Sequence, residues 1–594
     1  MKNNFFHIII FTVVLFNFTY IVAQESDSLA VINTKYDSLL KSSENEMNVL
    51  FYKHKKDLLL NNLGPFGSPF YYPSAFHLKK KSLISQESKL KARLNQIKGF
   101  KPYTNITYIN ASRKEQQFSI NHYQEISTNV FFDFNFRKLS SPGAFVNQEA
   151  NKTIFNGNIK INSKKENYRL NLFANVDRKF YQENGGLTDI DNYEKSMFDD
   201  DQNYQVNLIN SNAFDKNYMY GFEQQLDLFK IKKDSNTFSK AYLKNRTSYS
   251  TRQHVFYDDD PLSKIYNSLF TDSVSYIDSI YFENISNTFS IGYRKDNNFI
   301  ELFGQYDLEK YEQNFGIDAD YHNSYLGLYG NYRFKKIDVK GMTKYGISGY
   351  RKSDVESDLN FRIENKLYKF GSSIRYFLRE PDLKFISYTS NHFKWSNTSF
   401  QKESNLSFNG SVEIKKLKLE IEFETKLLNN LLYYDSLAQA NQNDKGINIT
   451  SFSLSKKYKL LNFYFKSAII YQITSDEYIL PLPELVGRQI IYYQKQIFKK
   501  ALKFQVGLGV SYSTGFYGYA YMPAINEFYT QRNTKIGEYP KLDVFINTHL
   551  KRAQIFLKYE HINAGSNLER AYSVPGYPIL NKSLKFGVSW NMFD

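Results

Sequence analysis

The segment Leu584-Lys585-Phe586-Gly587-Val588-Ser589-Trp590-Asn591-Met592-Phe593-Asp594 decides the fold. Leu584, Phe586, Val588, Trp590 and Met592 alternate with Lys585, Gly587, Ser589 and Asn591. Successive side chains of a β-strand point to opposite faces, so this strand has one apolar face and one small or polar face. Moving outward along the chain, the same period recurs. Leu502, Phe504, Val506, Leu508, Val510 and Tyr512 oppose Lys503, Gln505, Gly507, Gly509, Ser511 and Ser513. Leu417, Leu419, Ile421 and Phe423 oppose Lys418, Glu420, Glu422 and Glu424. Leu542, Val544, Ile546 and Leu550 form another such face, with Phe545 out of place on the polar side. Tyr168, Leu170, Leu172, Ala174 and Val176 do the same against Arg169, Asn171, Phe173, Asn175 and Asp177.

A soluble sandwich also alternates in this way. Strand length and spacing separate the two. The strands run about 9–12 residues, enough for a tilted membrane crossing. Some neighbours are joined by very short links, such as Ser163–Asn167 and Phe334–Ile337, whereas others are separated by long acidic gaps such as Asp258–Tyr276. Short turns at one end and long loops at the other are the asymmetry of membrane barrels. The expected fold is therefore all-β: one large antiparallel transmembrane barrel over 101–594, with about 22–24 strands (range about 16–24).

Composition agrees. The 594 residues include 51 Phe and 49 Tyr, and aromatics make up 17% of the chain. That content excludes bulk disorder and suits interfacial aromatic girdles. There is no Cys, which removes disulfide, thiolate-metal and thiol-nucleophile chemistry. The net charge of +16 reads as a dispersed, solvated excess, because no long basic run occurs. Nucleic-acid binding needs a clustered basic face and is not expected.

The start of the chain differs. Lys2, the apolar run Phe5–Phe16 and the small residue Ala23 read as a cleaved signal peptide over 1–23. Leu29, Ile32, Tyr36, Leu39 and Leu40 then recur at helical spacing, as does 47–60, so 24–100 reads as a short helical and irregular extension. An exported chain with no later apolar helix is periplasmic, outer-membrane or secreted, and the strand array makes the cell outer membrane the expected place.

Motifs for chemistry are sparse. No His-Glu-x-x-His, Gly-x-Ser-x-Gly or phosphate-loop pattern occurs. Ser119 and His122 lie close enough in sequence to raise a hydrolase pair, and His549 and His561 fall on neighbouring strands. The triplets Asp199-Asp200-Asp201 and Asp258-Asp259-Asp260 read as solvated loop tips, with loop-bound Ca²⁺ as the alternative. Neither pattern is specific, so no enzyme, cofactor or metal is expected. Charges on the polar faces are the remaining constellation: Arg137, Arg169, Asp177, Lys418, Glu420, Glu422, Lys503 and Lys551 are candidate lumen-facing residues. A charge facing lipid near the midplane costs about 2–4 kcal/mol, which turns such faces inward. They can line a pore, or pair and plug it.

Several segments occur in a telling order: Asn62-Leu63-Gly64, Tyr103–Tyr108, Glu115–His122, Phe180–Leu187 with Glu183-Asn184-Gly185-Gly186, Tyr539–Asp543, Tyr577-Pro578 and Gly587–Asp594. Together they resemble the putative porin family of Bacteroidota outer membranes. The resemblance implies a barrel with a diffusion or uptake role. Phe586, Val588, Trp590, Met592 and Phe593 resemble the terminal strand read by the barrel assembly machinery, although Met592 stands where the family more often has an aromatic. The expected function is a porin-like channel for passive or weakly selective diffusion of small hydrophilic solutes, with anion preference as a refinement. Its expected partners are outer-membrane lipid, the assembly machinery and those solutes. The alternatives are an interaction barrel that docks a periplasmic or surface partner, a barrel enzyme, and a TonB-dependent receptor. The region before Lys101 is too short and too helical for the usual globular plug of such a receptor.

Overall fold

The computed structural model describes residues 102–232, 238–259, 264–270, 277–499, 501–565, 571–579 and 581–593. The expected signal peptide and helical extension lie outside the described residues. Among the described residues, 22 antiparallel strands form one closed sheet. The first nine are β1 (Tyr103–Ala111), β2 (Gln116–Ser127), β3 (Val130–Ser141), β4 (Ala150–Asn162), β5 (Tyr168–Glu183), β6 (Ser211–Lys232), β7 (Phe238–Asp258), β8 (Ile277–Lys295) and β9 (Asn298–Gln313). Next come β10 (Asp318–Phe334), β11 (Ile337–Ser348), β12 (Val355–Glu364), β13 (Tyr368–Arg379), β14 (Glu403–Ile414), β15 (Leu419–Asn429) and β16 (Ile447–Leu460). The last six are β17 (Phe463–Thr474), β18 (Leu485–Ile497), β19 (Leu502–Ser513), β20 (Lys541–Leu550), β21 (Ala553–Glu560) and β22 (Ser583–Phe593).

Each strand pairs with the next, and β22 returns to β1 with Trp590 opposite Ile106. Closure leaves no unpaired edge, the condition for backbone in lipid. At this seam the inner face carries a side-chain amide ladder. Asn105 Nδ2 donates to Asn591 Oδ1 at 2.9 Å, and Asn121 and Asn135 continue the ladder on β2 and β3.

Side-chain exposure separates the two faces. On β22, Trp590 is 53% exposed and Lys585 only 2%. Leu326, Leu328, Ile421, Val506 and Tyr512 are likewise exposed on the outer wall. An apolar wall of this extent needs lipid, not water, against it. Lys585, Ser589 and Gln505, on the opposite parity, are buried on the inner wall, as the alternation requires.

The two out-of-place aromatics have a common cause. Phe545 lies over Gly507, and Phe173 lies over Gly221, across the sheet on the inner wall. Tyr242 over Gly292, Phe303 over Gly327 and Phe556 over Gly587 repeat the device. A Cβ on any of these glycines would clash with the ring. Each ring covers backbone that the glycine leaves bare, the same physical remedy as aromatic rescue of glycine.

Links at one end are short, such as Lys335-Lys336 and Lys551-Arg552. At the other end they include 184–210, 380–402, 430–446 and 514–540, together with the described parts of the β7–β8 and β21–β22 links. Short turns mark the periplasmic end of membrane barrels, so the long links ring the outer mouth.

Candidate functional site: lumen wall and loop lid

The inner wall carries charges on neighbouring strands that neutralise one another sideways. Arg169 on β5 meets Asp227 on β6 at 3.1 Å, and Lys152 on β4 meets Asp177 on β5 at 3.2 Å. Arg375 on β13 meets Asp358 on β12 at 2.5 Å. The longest chain runs over β20–β22. Lys558 contacts Asp543 at 3.1 Å and Glu560 at 2.6 Å, and Lys585 contacts Glu560 at 3.3 Å and Glu115 at 3.4 Å. All five are buried or nearly so, and removing one member would leave an uncompensated charge.

Of the eight residues expected in the lumen, Arg137, Arg169, Asp177, Glu420, Glu422 and Lys503 lie on inner-face strand positions. Lys418 and Lys551 do not. Both sit in short turns with left-handed backbone (φ 48° and 51°), where the alternation that placed them has already ended. Phe586, Trp590 and Met592 of the terminal strand face outward.

Two sequence pairings fail on geometry. Ser119 is buried on the inner wall, whereas the His122 ring packs among Phe132 and Phe134 on the other face. Residues three apart on a strand point to opposite faces and cannot form a catalytic pair. His549 faces Gln554 near the short-turn end, and His561 follows the opposite end of β21, roughly 20 Å away.

In each acidic triplet one carboxylate departs from the expected solvated tip, while Asp199, Asp200 and Asp259 are exposed as expected. Asp201 is 2% exposed and is clamped by Arg113 at 2.6 Å and Asn581 at 2.6 Å. Burial still raises its pKa above the ordinary value despite Arg113. Asp258 is buried and accepts from Ser211 at 2.7 Å and Tyr266 at 2.6 Å. These carboxylates tie loops down.

The loops they tie form a lid. Tyr388, Phe393 and Trp395 of 380–402, Tyr434, Ala438 and Ala440 of 430–446, and Met522, Ala524 and Ile525 of 514–540 share one core. That core also contains Ala150, Tyr181, Ala213 and Phe256, at the outer ends of β4–β7. The three loops spring from strands that lie far round the ring from β4–β7. A 22-strand barrel tilted about 40° is roughly 40 Å across, so these loops meet that wall only by crossing the mouth. Polar contacts pin the crossing. Lys384 Nζ donates to Ile525 O at 2.6 Å and pairs with Glu527 at 2.9 Å. Tyr521 OH donates to Glu183 Oε1 at 2.7 Å, and Asn391 donates to Asp278 at 2.9 Å.

A second joint gathers Phe145, Leu187, Tyr193, Tyr204, Phe516, Ile536 and Tyr572 from four long links. Here Leu187 N donates to Gly576 O at 2.9 Å. Gly186 (φ 83°) lies so close to Gly576 O that a side chain there would be both strained and crowded. The Asn184-Gly185-Gly186 motif is therefore a loop-to-loop joint. The other motifs behave alike: Tyr577 packs on Tyr521, and Tyr539 OH lies 2.6 Å from His561 Nε2. Sequence reasoning missed the lid, although the aromatic and glycine content of the long links was its signal.

Comparisons with known proteins fit this architecture. The structure is similar to the FrpB iron transporter from Neisseria meningitidis (TM-score 0.57, 10% identity, 83% of this chain and 82% of that one). It is similar to the copper transporter OprC (TM-score 0.57, 9% identity, 84% and 82%). It also resembles a mutant of the ferric enterobactin receptor PfeA from Pseudomonas aeruginosa (TM-score 0.55, 10% identity, 84% and 81%). At these identities the likeness is one of fold. No curated protein matches the chain by sequence. The family model described as "Putative porin" matches residues 30–594, so this 22-strand outer-membrane-type barrel belongs to the putative porin family.

Proposed function

We propose that the protein is an outer-membrane channel for small hydrophilic solutes whose outer mouth is held closed at rest by the loop lid. The observation that carries this reading is the shared core of Tyr388, Trp395, Tyr434 and Ile525 against the inner wall of β4–β7. A polar wall offers solutes a hydrated path, and a packed lid makes passage conditional on its release. Sideways pairing of the wall charges favours weak selectivity over strong anion preference. No catalytic role is part of this reading.

A second reading is supported by the fold likeness to iron and copper transporters. In it the lid recognises a ligand, and uptake needs an energised partner. Single-channel recording on the full chain in planar bilayers separates the two. The channel reading expects rare, brief openings in the wild type and frequent openings once the lid is loosened. A steady open conductance in the wild type would remove the lid from the mechanism. Silence in both, with the barrel folded, would reject diffusion in favour of the receptor reading.

A further inference from the structure

The charge reading of the sequence missed a gathering that only the fold creates. Among the described residues, the short links carry eleven Lys and Arg against two acidic residues, and the long links carry thirteen against nineteen. The basic excess is therefore concentrated on the short-turn rim. Several of its turns also push apolar side chains outward: Leu461 is 81% exposed and Phe498 74%. Lysines beside exposed apolar groups are the signature of a membrane interface with anionic headgroups.

One stretch of this rim adds a groove. On the outward wall of β8–β12 lies a cleft of about 670 Å³ lined by Tyr293, Ile300, Leu328, Tyr332, Val339 and Leu359. Its floor is opened by Gly330 and Gly341, outward positions with no side chain. Its lower edge is Lys295, the last residue of β8. Beside it the β10–β11 turn presents Lys335 and Lys336, and Lys335 Nζ lies over the Phe334 ring at 5.2 Å. None of the three lysines has an acidic partner among the described residues.

We infer that this groove is a binding site for one anionic phospholipid, with an acyl chain along Gly330 and Gly341 and the phosphate held by Lys295, Lys335 and Lys336. A partner protein in the periplasm cannot reach the outward wall between Tyr293 and Leu359, whereas a lipid in the bordering leaflet meets it from the side. The chemistry is an apolar slot continuous with free cations at headgroup level, which suits a charged headgroup better than a zwitterionic one. Each lysine near such a surface is worth about 1 kcal/mol, or about fivefold in affinity.

The test is native mass spectrometry of the full chain, delipidated and titrated with phosphatidylglycerol, phosphatidylethanolamine or inorganic phosphate. The wild type is expected to retain phosphatidylglycerol and little of the other two. The Lys295→Gln/Lys335→Gln/Lys336→Gln variant should bind phosphatidylglycerol about 100-fold more weakly. Gly341→Leu, which fills the slot and leaves every charge in place, should also lose it. Should the triple variant fail to fold, Lys295→Gln alone is read, with about a fivefold loss expected. Equal retention of the two lipids by the wild type, equal binding of inorganic phosphate, or unchanged binding in the variants would overturn the site. A barrel that inserts but shows no lipid preference rejects this site alone; failure to insert rejects the membrane reading beneath it.

Discussion

Replacing Trp395 by Ala should open the channel without unfolding the barrel. Trp395 is 8% exposed, and its ring centroid lies 4.8 Å from Tyr388 and 6.0 Å from Tyr434. Its Nε1 donates at 2.8 Å to the carbonyl of Lys384, the lysine whose Nζ grips Ile525 and Glu527. Truncating a buried Trp costs about 3–5 kcal/mol. The cost falls on the closed lid alone, since the barrel hydrogen bonds do not involve this loop. At about 1.4 kcal/mol per tenfold, the opening equilibrium rises by about 10²–10³ or more, until opening saturates. Single-channel open probability in planar bilayers reads this directly, and protease cleavage within 380–402 reports loosening independently. Trp395→Phe keeps much of the ring burial and should show a small effect. If Trp395→Ala exposes 380–402 to protease yet leaves conductance unchanged, the lid is not the barrier to flow.

Other outcomes follow from the same geometry. The chain has 2 Trp, one buried in the lid and one on the outward wall of β22, so brominated acyl chains should quench Trp590 and spare Trp395; equal quenching would contradict the assigned faces. Gly327→Ala forces the Phe303 ring off the wall and should cost about 1–3 kcal/mol in urea unfolding followed by heat-modifiable mobility, with Phe303→Ala/Gly327→Ala less destabilised than the sum of the singles. Strict additivity would refute the ring-over-glycine account. His392 in the lid is buried, stacks on Tyr266 at 3.7 Å and has its pKa lowered, first by desolvation, against the raising effects of Ser268 O and Asp258. The open state binds the proton more readily, so this contribution to closure is complete above about pH 6.5 and is lost as pH falls below it. Open probability should rise between about pH 7.5 and 5.5, and His392→Asn should flatten that rise if the imidazole causes it.

For the strands whose alternation is clean, the lipid-facing side was legible in the sequence. That property is local: side-chain period is two, and a charge in lipid is costly, so Leu584–Met592 or Leu502–Ser513 can be assigned without any neighbour. Short and long links were legible for the same reason, because strand ends show where alternation stops. Terminal positions such as Lys418 and Lys551 escaped, since a turn residue keeps the parity of its strand without its direction. The tertiary structure alone decided the lid, the ring-over-glycine pairs and the lipid groove. Each joins residues far apart in sequence: Trp395 with Phe256, Phe303 with Gly327, and Lys295 with Lys335 and Lys336. Register and ring closure set these meetings, and neither is encoded in the alternation of a single strand. The basic rim is the clearest case. Its basic residues are scattered one to three at a time along the sequence, and they become one charged edge only because every second link returns to the same end of the barrel.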